Sequence, residues 1–225
     1  MKRIAFGVAA VGLAIGLLTP AMAADIPSPV SKKSTAVYVP NDDVIARWTG
    51  FYVGAGIGAD WLGSGVYTDQ GRAWPGSRIF AGYDRQFGKS FVAGPHGDFS
   101  YSGARAGVTP DLASVGATGL ARNEWGGDLG VRAGWLATSK VLFYGEGGVS
   151  LAALRMSYGE PKVGPAWSAN RTAFGWYAGG GAETFIASKV TLHAEYRYGE
   201  LNAGLGAPVR SMRDQIALFG IAWRP

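Results

Sequence analysis

The sequence predicts an all-β fold: an eight-stranded antiparallel transmembrane β-barrel with short periplasmic turns and four long extracellular loops. Three observations carry this expectation. Eight runs between residues 50 and 223 alternate apolar or aromatic side chains with small, polar or charged ones, the period of a strand with two unlike faces. Short turns and long loops separate these runs in alternation, as expected of strands that cross a membrane back and forth. Glycine is abundant, with 36 residues spread through the runs. It weakens an ordinary strand but leaves room where a sheet coils tightly around lumen side chains.

The N-terminus reads as an export signal. Met1-Lys2-Arg3 is basic, Ile4 to Leu18 is apolar, and Ala21-Met22-Ala23 ends in a small-x-small site. That is a cleavable signal peptide, cut after Ala23; the apolar run is too short for a spanning helix. Residues 1–23 are therefore expected as signal and 48–225 as barrel. Residues 24–47, with Pro27, Pro29 and Pro40 among Ser, Lys and Asp, are expected as a periplasmic tether. The chain has no cysteine, so neither disulfides nor N-terminal lipid attachment can staple it. Its formal charge is +5, and Lys2 and Arg3 leave with the signal. So modest a balance is no footprint for nucleic acid.

The strands follow in order. The first, Phe51 to Asp60, sets Phe51, Val53, Ala55 and Ile57 against Tyr52, Gly54, Gly56 and Asp60. Gly54-x-Gly56 is no dinucleotide fingerprint, because no helix follows it. The second runs from about Arg78 to Phe87, and Gly88-Lys89-Ser90 turns it into the third, Phe91 to Tyr101. Pro95 removes a ladder donor there, which predicts a bulge. The fourth and fifth, about 123–135 and 141–153, flank a turn at Leu136 to Lys140. The sixth and seventh, about 171–183 and 190–199, flank a turn at Ile186 to Lys189, and the eighth covers about 214–223.

The aromatics on the apolar face sort by height. Phe51, Phe91, Trp135, Phe143, Phe219 and Trp223 fall towards the short turns; Trp61, Phe99, Tyr101, Trp125, Phe174, Trp176 and Tyr198 fall towards the long loops. Two aromatic girdles are what membrane interfaces select. With an export signal, they put the chain in the outer membrane of a Gram-negative cell. A soluble lipocalin-type barrel would need apolar side chains pointing inward, whereas here the carboxylates share a face with the glycines.

Several stretches carry a family resemblance. Trp48-Thr49-Gly50-Phe51-Tyr52-Val53-Gly54 resembles the opening strand of the opacity/OmpA-like small outer-membrane β-barrels, of the alphaproteobacterial major surface protein type. Gly97-Asp98-Phe99-Ser100-Tyr101, Leu129-Gly130-Val131-Arg132-Ala133-Gly134 and Glu195-Tyr196-Arg197-Tyr198 resemble it too. The resemblance implies an eight-stranded barrel without enzymatic activity, which meets the barrel-insertion machinery during biogenesis. One departure is that Trp223 is followed by Arg224-Pro225, where family members usually end on an aromatic residue.

The inward face collects Asp84, Asp98, Glu124, Asp128, Arg132, Glu146, Glu183, Glu195 and Arg197. An eight-stranded barrel is just wide enough for side chains to fill, and charges there must pair. The expectation is a salt-bridged plug and a structural role in envelope integrity and surface contacts. The alternatives are a low-conductance pore gated by Arg132 and Arg197, and a loop-mediated ligand or host receptor using Trp74, Tyr158 and Trp167. His193 and Glu195 share a face, but an esterase needs a nucleophile and an orienting group beside the base. Two histidines and no cysteine make a zinc site unexpected, and no cofactor is expected. The loops carry Arg72, Arg78, Arg105, Arg122, Lys162, Arg171, Arg210 and Arg213. Of these, Arg78, Arg122 and Arg171 are the expected contacts to lipopolysaccharide phosphates, which suit the guanidinium fork. The competing reading is that they are solubilising loop charges.

Overall fold

In the computed structural model, residues 48–160, 164–202 and 211–225 are described. The expected signal peptide and tether, with Lys162 and Arg210, lie outside them, as does the side chain of Trp167. The elements are β1 (Gly50–Gly63), β2 (Tyr67–Thr68), β3 (Trp74–Phe87), β4 (Phe91–Ser102), β5 (Arg105–Val108), α1 (Pro110–Ser114), β6 (Thr118–Thr138), β7 (Val141–Glu160), β8 (Gly164–Ala187), β9 (Val190–Asn202) and β10 (Ser211–Trp223).

All neighbouring strands pair antiparallel. Eight long strands run β1-β3-β4-β6-β7-β8-β9-β10, and β10 pairs with β1 from Val53↔Trp223 to Gly63↔Arg213, which closes the barrel. Closure leaves no long edge for another chain to extend. The period of 2 then decides what faces where. Phe51 is 70% and Ile57 73% exposed, while their neighbour Tyr52 is 2% exposed. Along the middle of the strands the outward face is apolar and aromatic and the charged side chains point in, which is the inside-out arrangement a bilayer requires.

The turns between β3 and β4, β6 and β7, and β8 and β9 are short. Gly88 adopts φ +61° in the first of them, a left-handed conformation that glycine enters without a Cβ clash. Pro95 is not at a bulge. The β3–β4 register is the same on both sides of it, Gly82↔His96 and Arg85↔Ala93, with the rungs between left unpaired. Its ring points outward and the lost donor costs only local rungs. Bulges occur instead between Asn123 and Trp125, between Leu136 and Thr138, and between Phe185 and Ala187.

The strands outrun their expected ends on the loop side. β3 begins at Trp74, β6 at Thr118 and β8 at Gly164, and β7 continues to Glu160. The loops also hold β2, β5 and α1. β2 pairs with β1 and β5, and β5 pairs with β6, so a sheet β2-β5-β6-β7-β8 rises above the outer girdle. The reason is an inward apolar row that continues there. Leu62, Val66, Tyr67, Ala106, Ala121, Leu154, Met156, Leu201 and Met212 form one buried cluster. It caps the outer mouth. Tyr67 donates from its hydroxyl to the Ser157 carbonyl at 2.8 Å; burial pushes that hydroxyl up to about 12, so it stays a donor at ordinary pH.

Candidate functional site in the lumen

Reading upward from the turns, the inward rows of β6 and β7 pass from apolar to ionic and back to apolar. On β6 the inward order is Leu136, Arg132, Asp128, Asn123 and Ala121; on β7 it is Leu142, Tyr144, Glu146, Ser150, Ala152 and Leu154. Glycines occupy the positions that face the longest side chains. A Cβ on Gly179 would lie 2.7 Å from Arg197 Cγ, and one on Gly82 2.3 Å from the Tyr52 hydroxyl.

The lowest layer is apolar: Trp48, Val92, Leu136, Leu142, Tyr144 and Phe185. Trp48 stands edge-on to Phe185 at 4.8 Å and donates from Nε1 to the Ser139 carbonyl at 3.1 Å. Above it lies a balanced ionic quartet. Arg132 donates from Nε to Asp84 Oδ1 at 3.0 Å and from Nη1 to Glu183 Oε2 at 2.9 Å, with a further close pair between Nη2 and Asp84. Arg224 donates from Nε to Glu183 Oε1 at 3.0 Å and from Nη2 to Asp84 Oδ2 at 2.8 Å. Both guanidiniums lie over the Tyr52 ring, at 4.1 Å for Arg132 and 4.7 Å for Arg224, where the ring face attracts a cation.

A second ionic layer follows. Arg197 meets Asp98 at 2.6 Å, Asp128 at 3.1 Å and Glu195 at 2.6 Å, and pairs closely with Glu146. Arg78 meets Asp98 and Glu195, each at 3.2 Å. Tyr144 donates to Glu195 Oε2 at 2.9 Å. Between the two layers the Tyr52 hydroxyl and His96 Nδ1 are 2.8 Å apart, and His193 packs edge-on against Phe80 at 4.7 Å. Asp60 and Asp214 stand just above. Asn123 donates from Nδ2 to Asp214 Oδ2 at 3.4 Å. This upper layer therefore sets six carboxylates against two guanidiniums, while the lower one is balanced.

Most of the expected lumen residues come together in these two layers. Glu124 does not. It is the extra residue of the bulge between Asn123 and Trp125, which throws it out of the inward row, and it pairs with Arg155 at 3.1 Å on the outer surface. Arg78 is a correction of the opposite sign. It was expected beside lipopolysaccharide, but its side chain is 2% exposed within the lumen. β3 begins four residues before it, so it lies inside the barrel wall and shares the inward parity of Phe80 and Asp84. Arg122 is exposed on the outward face, paired with Arg155; Arg171 is exposed as well but has the inward parity of Ala173, opposite Leu154. Trp74 and Tyr158 are not free loop aromatics, because both pack against the outer cap. Arg224 was missed, although its parity with Ala222 and Leu218 places it inward. Among the described residues, no group of three or more His, Asp or Glu has metal-binding geometry.

The profile described as the outer membrane protein beta-barrel domain matches residues 13–224. Over 126 residues, 55% of this chain and 52% of the relative, the chain is 29% identical to the 31 kDa outer-membrane immunogenic protein of Brucella melitensis biotype 1. Over 158 residues, 67% of this chain and 63% of the relative, it is 30% identical to the 22 kDa outer membrane protein of Rhizobium leguminosarum bv. viciae. The chain thus spans about half the length of the Brucella relative. Among solved structures, Ail, the attachment invasion locus protein of Yersinia pestis, aligns with TM-score 0.49 and 16% identity, over 79% of this chain and 99% of that one. Neisserial surface protein A aligns with TM-score 0.49 and 19% identity, over 79% of this chain and 98% of that one.

Proposed function

Since the chain belongs to the outer membrane protein β-barrel family and resides in the outer membrane, we propose that it serves there as a structural wall element, supporting envelope integrity and surface contacts. The observation that supports this reading is the stack of side-chain layers along the inward face. Two ionic layers lie between an apolar layer at the turn end and an apolar cap at the loop end. A hydrated ion would have to break paired, desolvated charges to pass, and removing one partner of such a pair costs several kcal/mol. His193, the base that an esterase would need, lies against Phe80 in the lumen, away from ester bonds of the outer leaflet. Export rests on the signal at residues 1–23, followed by a periplasmic tether at 24–47.

Single-channel recording in planar bilayers tests the reading. The expected trace is flat, and it stays flat across the voltages a bilayer tolerates. Reproducible conductance steps from the wild-type barrel would overturn the closed lumen in favour of the low-conductance pore.

A further inference from the structure

We propose that the outward face of β5 to β8, one rung above the aromatic girdle, binds the phosphate groups of lipid A through Arg105, Arg122 and Arg155. The inference rests on the reading of the chain as an outer-membrane barrel and gives its surface a ligand. The strand register carries it. Arg105 pairs with Arg122, Arg122 with Arg155, and Arg155 with Asn170. Directly paired residues share a face, with Cβ atoms about 5 Å apart. Three arginines thus form a row across adjacent strands.

They cannot turn inward to find partners. The next rung on the opposite face is Ala106, Ala121 and Met156, buried in the cap. Like charges set directly opposite one another destabilise a sheet. Among the described residues, one carboxylate meets the row: Glu124, at 3.1 Å from Arg155. The Arg105 guanidinium lies over the Trp74 ring at 5.6 Å, which orients it without neutralising it. The row therefore carries more positive charge than the protein offsets.

Its height fits a phosphate layer. The outward rung below is Tyr101, Trp125 and Ala153, part of the outer girdle. Because Glu124 is extra, Arg122 stands two residue pairs above Trp125, as Arg155 does above Ala153, about 7 Å along the strand and about 5 Å along the membrane normal at the tilt of such strands. The headgroup layer occupies about 5–8 Å beyond the hydrocarbon core. Beside the row a recess of ≈ 220 Å³ opens above Trp125, with Arg155, Asn170, Arg171 and Thr172 in its wall, together with Glu124, which is paired to Arg155. Guanidiniums bind phosphate oxygens in pairs, and the amide and hydroxyl suit adjoining sugar hydroxyls.

The test measures binding of bisphosphorylated lipid A to the folded barrel in mild detergent by native mass spectrometry. The variant is Arg105→Gln/Arg122→Gln/Arg155→Gln. The control, Lys89→Gln/Lys140→Gln/Lys189→Gln, removes equal charge from the exposed short turns. The expected result is at least about tenfold weaker binding by the arginine variant, a free-energy change of about 1.4 kcal/mol, with the control unchanged. Inorganic phosphate alone should neither bind measurably nor compete. Equal binding by wild type and arginine variant, both still shifting in gel mobility on boiling, would overturn the site, and so would full competition by inorganic phosphate. A wild-type protein that shows no heat shift would instead sink the barrel reading on which the site stands. Should the triple variant not fold, Arg122→Gln at the centre of the row carries the same comparison, and unchanged binding there overturns the site.

Discussion

Arg224 completes the lower ionic quartet from the last turn of chain, reaching both Asp84 and Glu183. Its removal leaves two buried carboxylates sharing Arg132. Breaking a buried pair from one side costs about 3–5 kcal/mol, so Arg224→Gln should lower the free energy of urea unfolding by an amount in that range and bring the midpoint to lower urea. The upper layer behaves differently. Asp98 and Asp128 stand directly opposite each other in the β4–β6 register, and carboxylates there outnumber guanidiniums. Neutralising one of them relieves repulsion, so Asp128→Asn should leave the same midpoint unchanged or raise it. A matching loss in both variants would contradict the charge balance assigned to the two layers. The contrast explains why residue-level reasoning from sequence found the charges but not their arrangement. Strand parity assigns a side chain to the lumen; only the register across eight strands says which of the others it meets.

At the scale of elements, the eight barrel strands were legible because their alternation spans both an apolar and a polar face. Their outer ends were not. Above the membrane the outward residues turn polar, as at Arg155 and Ser157, and the long alternation looks broken. The inward row of Ala152, Leu154 and Met156 nonetheless continues, and it is what extends β7 to Glu160. The bulge at Glu124 was equally hidden, since a single extra residue flips parity without any turn chemistry to announce it. The cap should be energetically separable from the barrel below. Leu154 is fully buried, and Leu154→Ala should cost about 2–4 kcal/mol, read as faster proteolysis and hydrogen exchange confined to β2, β5 and the outer ends of β6 to β8. Heat-shifted gel mobility should survive, because both ionic layers and the closing β1–β10 ladder remain intact. Loss of the shift would mean that cap and barrel unfold as one unit.

At the scale of the whole molecule, the barrel is organised along the membrane normal, with ionic layers between an apolar layer at the short turns and an apolar cluster at the loops. Cells expressing the full precursor should therefore hold it in the detergent-insoluble envelope fraction, with a band whose mobility changes on boiling and an N-terminus at Ala24. A soluble periplasmic form with constant mobility would contradict the inside-out assignment. The cap adds a kinetic consequence to this static picture. Its apolar residues lie beyond the outer girdle, so each must traverse the hydrocarbon on an unfinished strand before it finds its neighbours outside. Once Leu62, Leu154 and Met212 have met there, retreat would require pulling that knot of side chains apart and dragging the charged row of β5 to β7 back through lipid. In that geometry the assembled cap would hold the strands in place as a pawl holds a ratchet.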